Sequence, residues 1–348
     1  MRISTLLNYS AGFVDAVDEV VAMERAGLDV VWVPEAYAFD APSAMGYLAA
    51  KTERVVIASG IVPIYTRTPT LLAMTAAGID ALSDGRCMLG LGASGPQVIE
   101  GFHGVRYDAP VARTREIIEI CRQVWRRERL EHHGRHYDMP LPEGEGTGLG
   151  KALKIITHPV RDDIPVAIAG LGPRSVEMTA EVADAWLPAF YTAEAASDVW
   201  GEALAAGAAK RDASRAPLEV FAGGSVAIGE GTEGLRDLAR PQIALYVGGM
   251  GAKEKNFYND IFRRSGYEEA ADEIQELYLA GRKDEAAAAI PDEYLASSSL
   301  VGPAGFVAER LAALRESGVT ALNVGFLGRT PEERVAQCEQ LRELVDAS

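Results

Sequence analysis

The sequence has few cysteines and no long apolar run, and each scarcity excludes a class of protein. Only three of the 348 residues are cysteine, and Cys87, Cys121 and Cys338 are far apart and form no CxxC pair. Neither a disulfide framework nor a structural zinc site is therefore expected, which favours a reducing compartment. No apolar stretch approaches the roughly 18 residues that span a bilayer, and the short apolar start lacks the core of a signal peptide. We expect a cytoplasmic protein.

Positive charge is also scarce. The chain has 34 Lys and Arg residues against 50 Asp and Glu residues, a formal net charge of −16. Such a charge repels phosphate backbones, and a nucleic-acid binder normally presents a basic face. The longest basic run is Arg126-Arg127, with Glu128 beside it. The sequence therefore predicts a small-molecule substrate and neither a nucleic-acid nor a membrane partner.

Histidine is rare as well, and three of the five histidines lie close together. His132, His133 and His136 resemble a metal cluster, but they lie in a polar segment with no further ligand nearby. A solvated loop is the better interpretation, and no metal site is predicted.

Short apolar runs rich in β-branched residues alternate with longer amphipathic stretches along the chain. Eight such runs are expected to form strands, at residues 3–7, 30–33, 55–62, 86–91, 166–169, 185–188, 220–228 and 321–325. Near-continuous apolar strands are typical of parallel sheets that are covered on both faces. The pattern predicts an α/β protein, a (β/α)8 TIM barrel formed by residues 1–348 as a single domain. A doubly wound open sheet is the alternative.

Two segments interrupt this alternation. Residues 128–162 contain four closely spaced glycines and several prolines, which indicates a long loop. Residues 240–299 have a mostly helical pattern and are longer than one crossover helix. In a barrel, such insertions usually lie in the loops at the C-terminal face and cover the active site.

Two glycine-rich turns are candidate ligand sites. Gly90 to Gly95 matches G-x-G-x-x-G, but Pro96 follows it and three strands precede it, so a standard dinucleotide site is disfavoured. Gly170-Leu171-Gly172-Pro173-Arg174 follows a strand and opens a helix. Free amides and the helix dipole make such a turn an anion site, and Arg174 adds a positive charge. The alternative is a tight turn without a ligand.

A third candidate is Glu35, which follows the second strand at the position where barrel active sites lie. Two interpretations stay open, a functional carboxylate and an ion-pair partner of an arginine in the barrel mouth. Arg67 is more typical of an ion-pair partner than of a ligand.

Together these segments resemble one family, the luciferase-like flavin oxidoreductases, and within it the branch that uses coenzyme F420, a deazaflavin. The segments that carry the resemblance are residues 32–37, 59–67, 92–97, 101–104, 169–173, 183–186 and 299–303. Tyr65-Thr66-Arg67 and Ser94-Gly95-Pro96-Gln97 are more similar to methylenetetrahydromethanopterin reductase than to luciferase itself.

The resemblance implies a barrel with an insertion after the seventh strand, and a homodimer or homotetramer. It implies a cis peptide bond at Gly60-Ile61 that backs the deazaflavin ring, and a phosphate bound by the amides after the fifth strand. The implied cofactor-binding residues are Glu35, Ala36, Gly60, Ile61, Gly92, Ala93, Ser94, Gln97, Gly170, Leu171, Gly172, Pro173 and Arg174.

The chain departs from the related glucose-6-phosphate dehydrogenases that use this coenzyme. They place a catalytic histidine directly after the acidic residue of the second strand, where this chain has Ala36. They also have a glutamate in the glycine loop, where this chain has Ala93-Ser94. That activity is not expected, and the proton donor stays open. Glu35, Tyr37 and Tyr246 are catalytic candidates by position.

The expected function is an F420-dependent oxidoreductase that transfers a hydride between the deazaflavin and a small organic substrate bound under residues 240–299. Gly248 to Gly251 and Asn256 to Tyr258 would form a partly aromatic wall there, or else plain helix packing. The alternatives are an FMN-dependent luciferase-like monooxygenase and a non-catalytic flavin- or deazaflavin-binding protein. A nicotinamide dehydrogenase would rest on Gly90 to Gly95 alone.

Overall fold

The structure is a computed structural model that describes residues 1–9, 12–250 and 256–348. Its strands are β1 (Arg2–Leu6), β2 (Val30–Val33), β3 (Val56–Ser59), β4 (Val62–Pro63), β5 (Cys87–Gly92), β6 (His132–His133), β7 (Asp138–Met139), β8 (Val166–Ile168), β9 (Ala185–Trp186), β10 (Glu219–Ile228), β11 (Ser299–Gly302) and β12 (Ala321–Phe326).

Helices separate most of these strands. They are α1 (Phe13–Arg25), α2 (Ala41–Lys51), α3 (Pro69–Leu82), α4 (Pro96–Gly101), α5 (Pro110–Trp125), α6 (Pro173–Val182), α7 (Ala196–Ala208), α8 (Arg240–Ala244), α9 (Phe257–Arg264), α10 (Glu268–Leu279), α11 (Lys283–Ala288), α12 (Asp292–Ser297), α13 (Ala304–Glu316) and α14 (Pro331–Ala347). A 3₁₀ helix spans Glu233–Ala239, and a π-helix spans Leu245–Gly249.

The predicted strands are present, with one division. The strand expected at residues 55–62 ends at Ser59 and resumes as β4 at Val62, because the chain bends at Gly60-Ile61. The peptide bond between Gly60 and Ile61 is cis, as the resemblance implies. Helices α2, α4 and α14 and strands β6, β7 and β11 were not predicted.

The described residues form two compact units that alternate along the chain. Unit 1 comprises Met1–Val30, Gly170–Glu181 and Trp186–Ser348, and unit 2 comprises Val31–Ala169 and Val182–Ala185. The expectation of a single domain over residues 1–348 stays a prediction.

Parallel pairing organises the sheet in each unit. In unit 1, β12 pairs with β1 and with β10, and the end of β10 also pairs with β11. In unit 2, β5 pairs with β3, β4 and β8. Parallel pairing of strands that helices separate along the chain is the arrangement of a β/α fold.

Unit 1 also contains the helical segment from α8 to α12, which has a core of its own. Val247, Phe262, Ile274 and Tyr294 are fully buried at its centre. Within the described residues, no helix combines the length and apolar character that crossing a bilayer needs.

In unit 2, the irregular segment 128–162 is fixed by two buried acidic side chains. Glu116 accepts hydrogen bonds from the amides of Arg135, His136 and Tyr137, which closes the β6–β7 hairpin. Asp80 on α3 is fully buried. It pairs with Arg161 and accepts a 3.1 Å hydrogen bond from the Cys87 amide, so it ties the end of the segment to α3 and β5.

Removing the Asp80 carboxylate should therefore cost substantial stability. We expect Asp80→Ala to lower the free energy of unfolding by about 3 kcal/mol, because it leaves the Arg161 guanidinium without its counter-ion and the Cys87 amide without its acceptor. Urea unfolding measures the change. The exposed Asp162 is the control, and Asp162→Ala should stay within about 0.5 kcal/mol of the parent. Equal losses in the two variants would show that Asp80 has no special role.

Candidate functional site

Glu35 in unit 2 is an ion-pair partner of Arg67. The two guanidinium nitrogens bind the two carboxylate oxygens at 2.5 and 2.9 Å, and the Ala41 amide at the start of α2 donates a 2.7 Å bond to Oε2. The side chains are 8% and 14% exposed for Glu35 and Arg67, respectively. Glu35 is therefore in an ion pair with Arg67, and both of its carboxylate oxygens are engaged. Its role as a functional carboxylate stays a prediction.

The residues that follow Glu35 lie at the surface. Ala36 is exposed, and Tyr37 is 68% exposed with its ring 6.2 Å from that of Phe102. Asp40 then caps α2 by accepting hydrogen bonds from the Ser43 amide and hydroxyl. Burial works against the charged form of Asp40, but these bonds and the charge of Arg67 outweigh it and lower the pKa of Asp40.

The glycines of the Gly90 to Gly95 motif allow two strands of unit 2 to approach closely. A Cβ atom at residue 90 would overlap the Ser59 carbonyl oxygen, and one at residue 92 would lie 2.8 Å from Ile61 Cγ1. The Ser59 hydroxyl also donates to the Gly90 carbonyl at 2.9 Å and accepts from the Gly90 amide at 2.8 Å. Close contacts with the Ser59 backbone and with the Ile61 side chain thus account for the first two glycines without a bound dinucleotide.

Gly60 is equally constrained. A Cβ atom there would lie 2.7 Å from Trp32 Cβ, and the Gly60 amide donates to the Val33 carbonyl at 2.8 Å. The bend at Gly60-Ile61 therefore fits directly onto β2, and the Ile61 side chain covers Gly92. After β5, Ala93 is half-buried, Ser94 adopts a left-handed φ of 55°, and Gln97 is exposed on α4.

In unit 1, two buried indoles fix the Gly170 to Gly172 turn. Trp186 Nε1 donates to the Gly170 carbonyl at 2.8 Å, and Trp200 Nε1 donates to the Leu171 carbonyl at 3.4 Å. The carbonyl and amide of one trans peptide point in opposite directions. Since the carbonyls of residues 170 and 171 point at the indoles, the amides of Leu171 and Gly172 point away from them.

The amides of this turn have no acceptor within the protein as far as the structure describes it. Among residues 1–9, 12–250 and 256–348, none accepts a hydrogen bond from the amides of Gly170, Leu171 or Gly172. Pro173 occupies the first position of α6, and Arg174 beside it is exposed. Free amides at the start of a ten-residue helix, next to an arginine, can bind an anion such as a phosphate.

The sequence gives no sign that the Trp186 and Trp200 indoles bind the carbonyls of the Gly170 to Gly172 turn. Trp186 was part of the recognised pattern, but no spacing rule connects it, or Trp200, with a turn so far away along the chain. Tyr246, the third catalytic candidate, lies on the π-helix of unit 1 and packs against Phe190 and Tyr258. Gly251, part of the expected wall, lies outside the described residues.

The three neighbouring histidines show no metal-binding arrangement. His132 Nε2 lies 3.3 Å from Glu116 Oε2, and His133 Nδ1 lies 2.9 Å from Asp138 Oδ1. Within the described part of the chain, no group of three or more His, Cys, Asp or Glu side chains is placed to hold a metal ion.

Comparison with known proteins gives one consistent family. The family model described as luciferase-like monooxygenase matches residues 1–321. A putative coenzyme F420-dependent oxidoreductase of Mycobacterium tuberculosis is 44% identical over 330 residues, which are 94% of this chain and 92% of that protein. A 5,10-methylenetetrahydromethanopterin reductase of Archaeoglobus fulgidus is 27% identical over 87% of this chain and 86% of its own length.

A solved structure extends the likeness to the fold. The coenzyme F420-dependent tetrahydromethanopterin reductase from Methanopyrus kandleri superimposes with a TM-score of 0.80 at 19% identity, covering 97% of each chain. The fold class predicted from the sequence, a (β/α)8 barrel, is confirmed. The chain belongs to the luciferase-like monooxygenase family and is an enzyme of that superfamily.

Proposed function

We propose that the protein is an oxidoreductase that uses coenzyme F420 to transfer a hydride to or from a small organic substrate. The observation that carries the proposal is the Gly170 to Gly172 turn, whose amides are left free while indoles hold its carbonyls. A phosphate fits these donors, and F420 carries one. The 44% identical relative, itself named as a putative F420-dependent oxidoreductase, supports the choice of coenzyme.

Candidate coenzyme-binding groups are present in each unit. In unit 1, Gly170, Leu171, Gly172 and the first turn of α6 would hold the phosphate, and Arg174 would meet the acidic tail. In unit 2, the bulge at Gly60-Ile61 would back the ring, and Ala36, Gly92, Ala93, Ser94 and Gln97 would line the ring and the ribityl chain. Bound there, the deazaflavin would supply hydride chemistry, which the protein directs by orientation and exclusion of water.

We assign Glu35 a positioning role rather than that of a proton donor. Both of its oxygens are occupied by Arg67 and by the Ala41 amide, so it holds the end of β2 against α2. Tyr37 and Tyr246 stay candidates for delivering a proton.

Titration of the purified protein with F420 and with FMN tests the coenzyme directly. We expect F420 to bind with a micromolar Kd by isothermal titration calorimetry, and FMN to bind much more weakly. Tight FMN binding would instead support the monooxygenase alternative. Binding of neither would refute the proposed coenzyme site. Binding of F420 without turnover of any substrate would favour a carrier protein.

The indole hydrogen bond to the turn should affect coenzyme affinity. We expect Trp186→Phe to weaken F420 binding about five-fold, since the loss of one neutral hydrogen bond frees the Gly170 peptide to rotate. The matched control is Trp125→Phe, which removes a 3.0 Å indole bond to the Ala73 carbonyl in unit 2. Both variants should lose stability, but only the first should lose affinity. Equal F420 affinities of the two variants would show that the Trp186 indole does not contribute to coenzyme binding.

The contribution of Arg174 should depend on salt. We expect Arg174→Glu to weaken F420 binding about five-fold at low ionic strength, and less at high ionic strength, because exposed charges are screened. The exposed Arg25 at the end of α1 is the control for net charge. If Arg25→Glu weakens binding as much as Arg174→Glu, the effect belongs to the overall charge and not to this residue.

A further inference from the structure

Three aromatic rings of unit 1 pack against one another in a closed set, which we call the aromatic triad. The Tyr246 and Tyr258 ring centroids lie 4.7 Å apart and nearly perpendicular, at 84°. The Phe190 centroid lies 5.9 Å from that of Tyr246 and 5.5 Å from that of Tyr258. All three residues are only partly buried, so each keeps some of its surface in contact with solvent.

One asparagine connects the two tyrosine-bearing segments. Asn256 Oδ1 accepts from the amides of Tyr258 and Asn259, and Nδ2 donates to the carbonyls of Tyr246 and Val247, both at 2.9 Å. The Asn256 side chain therefore binds two carbonyls of the π-helix and also caps the start of α9. This arrangement fixes Tyr246 relative to Tyr258 before any ligand arrives, and π-turns of this kind occur often at functional sites.

Phe190 is held in place at a conformational cost. Its φ of 58° lies in the left-handed region, which is unfavourable for a residue with a bulky side chain. Its ring also packs against the core of the helical segment from α8 to α12. Such a conformation persists only where the surroundings require that ring position, and such positions cluster at ligand sites.

The two phenol hydroxyls have no protein partner. Among the described residues, none forms a hydrogen bond with the hydroxyl of Tyr246 or of Tyr258. Burial and the neighbouring Tyr246 raise the pKa of Tyr258 to about 12, so its hydroxyl is neutral and able to donate at physiological pH. No guanidinium or ammonium group in the described chain lies over any of the three rings.

The triad is also close to the turn that would hold the coenzyme phosphate. Phe257, the neighbour of Tyr258, is 63% exposed. Its Cε1 atom lies 3.9 Å from the position of a Cβ atom on Gly172. In the first turn of α9, the Phe257 ring therefore lies beside the Gly170 to Gly172 turn, and the ring of the next residue, Tyr258, belongs to the triad.

We propose that the aromatic triad is the substrate-binding surface of this enzyme, and that it takes an uncharged, flat, conjugated carbonyl compound. The ring faces would stack on the planar part of the ligand, and the two free hydroxyls would donate to its carbonyl oxygen. That the bound compound is a substrate rests on the proposed function. That the triad binds such a compound does not. A sugar phosphate or another anion finds no cation over these rings.

Binding to the protein without coenzyme tests the inference. The probes are 1-tetralone, which is flat and conjugated, 1-decalone, its saturated counterpart, and tetralin, which lacks the carbonyl. We expect calorimetry to show 1-tetralone binding about five-fold or more tighter than either of the other probes. The saturated ring of 1-decalone cannot stack on the aromatic rings, and tetralin has no carbonyl to accept a hydrogen bond. Equal affinities for 1-tetralone and 1-decalone, or no binding of 1-tetralone, would overturn the proposal.

Tyr-to-Phe variants separate hydrogen bonding to the ligand from packing of the rings, because they remove only the hydroxyls. Tyr246→Phe together with Tyr258→Phe should weaken 1-tetralone binding about five-fold or more and leave tetralin unchanged, because only the hydroxyls are lost. Tyr278→Phe is the control, since Tyr278 packs against Gly248 and Gly249 outside the triad. Loss of 1-tetralone affinity in the control, or none in the double variant, would refute the assigned hydroxyls.

Parallel F420 titrations of the same protein distinguish the two proposals. If F420 binds and 1-tetralone does not, the substrate surface is wrong and the proposed function stands. If 1-tetralone binds and F420 does not, the proposed function fails and the binding surface stands.

Discussion

The contact between β3 and β5 is the constraint on which unit 2 depends. A Cβ atom at residue 90 would overlap the Ser59 carbonyl oxygen of β3, and the Ser59 hydroxyl bonds both the amide and the carbonyl of Gly90. This contact sets the position of the bend at Gly60-Ile61, which in turn rests on Trp32. A backbone surface of this kind has little freedom to adapt, so it suits a rigid, flat group such as a deazaflavin ring.

Unit 1 controls its backbone in a different way, through polar side-chain groups that bind peptide groups. Two indoles orient the Gly170 to Gly172 turn, and the Asn256 amide holds the π-helix against α9. In both places, a buried donor satisfies carbonyls that no regular helix or strand would satisfy. The irregular backbone at the proposed phosphate and substrate sites is therefore stabilised without a ligand, so that binding needs little rearrangement.

The sequence predicted the parts of this molecule that follow local patterns. Strand β2 was found with its observed bounds, because four buried apolar residues in a row are typical of a parallel strand. Helix α2 was missed because Pro42, Gly46 and several small residues give it no clear apolar stripe. The Glu35–Arg67 pair was foreseen only as one of two possibilities, since 32 positions separate its members. The roles of Trp200 and Asn256 depend on tertiary contacts that no local pattern encodes.

The placement of the tryptophans has an optical consequence. The chain has four of them, and three lie against backbone groups of the candidate coenzyme-binding residues: Trp32 at Gly60 in unit 2, and Trp186 at Gly170 and Trp200 at Leu171 in unit 1. The Trp186 and Trp200 rings also contact each other, with centroids 5.4 Å apart. Three of the four intrinsic tryptophan fluorophores therefore lie beside groups proposed to hold the coenzyme. Coenzyme bound at these groups would change the emission of three indoles at once, whereas the Trp125 indole is bonded to the Ala73 carbonyl instead.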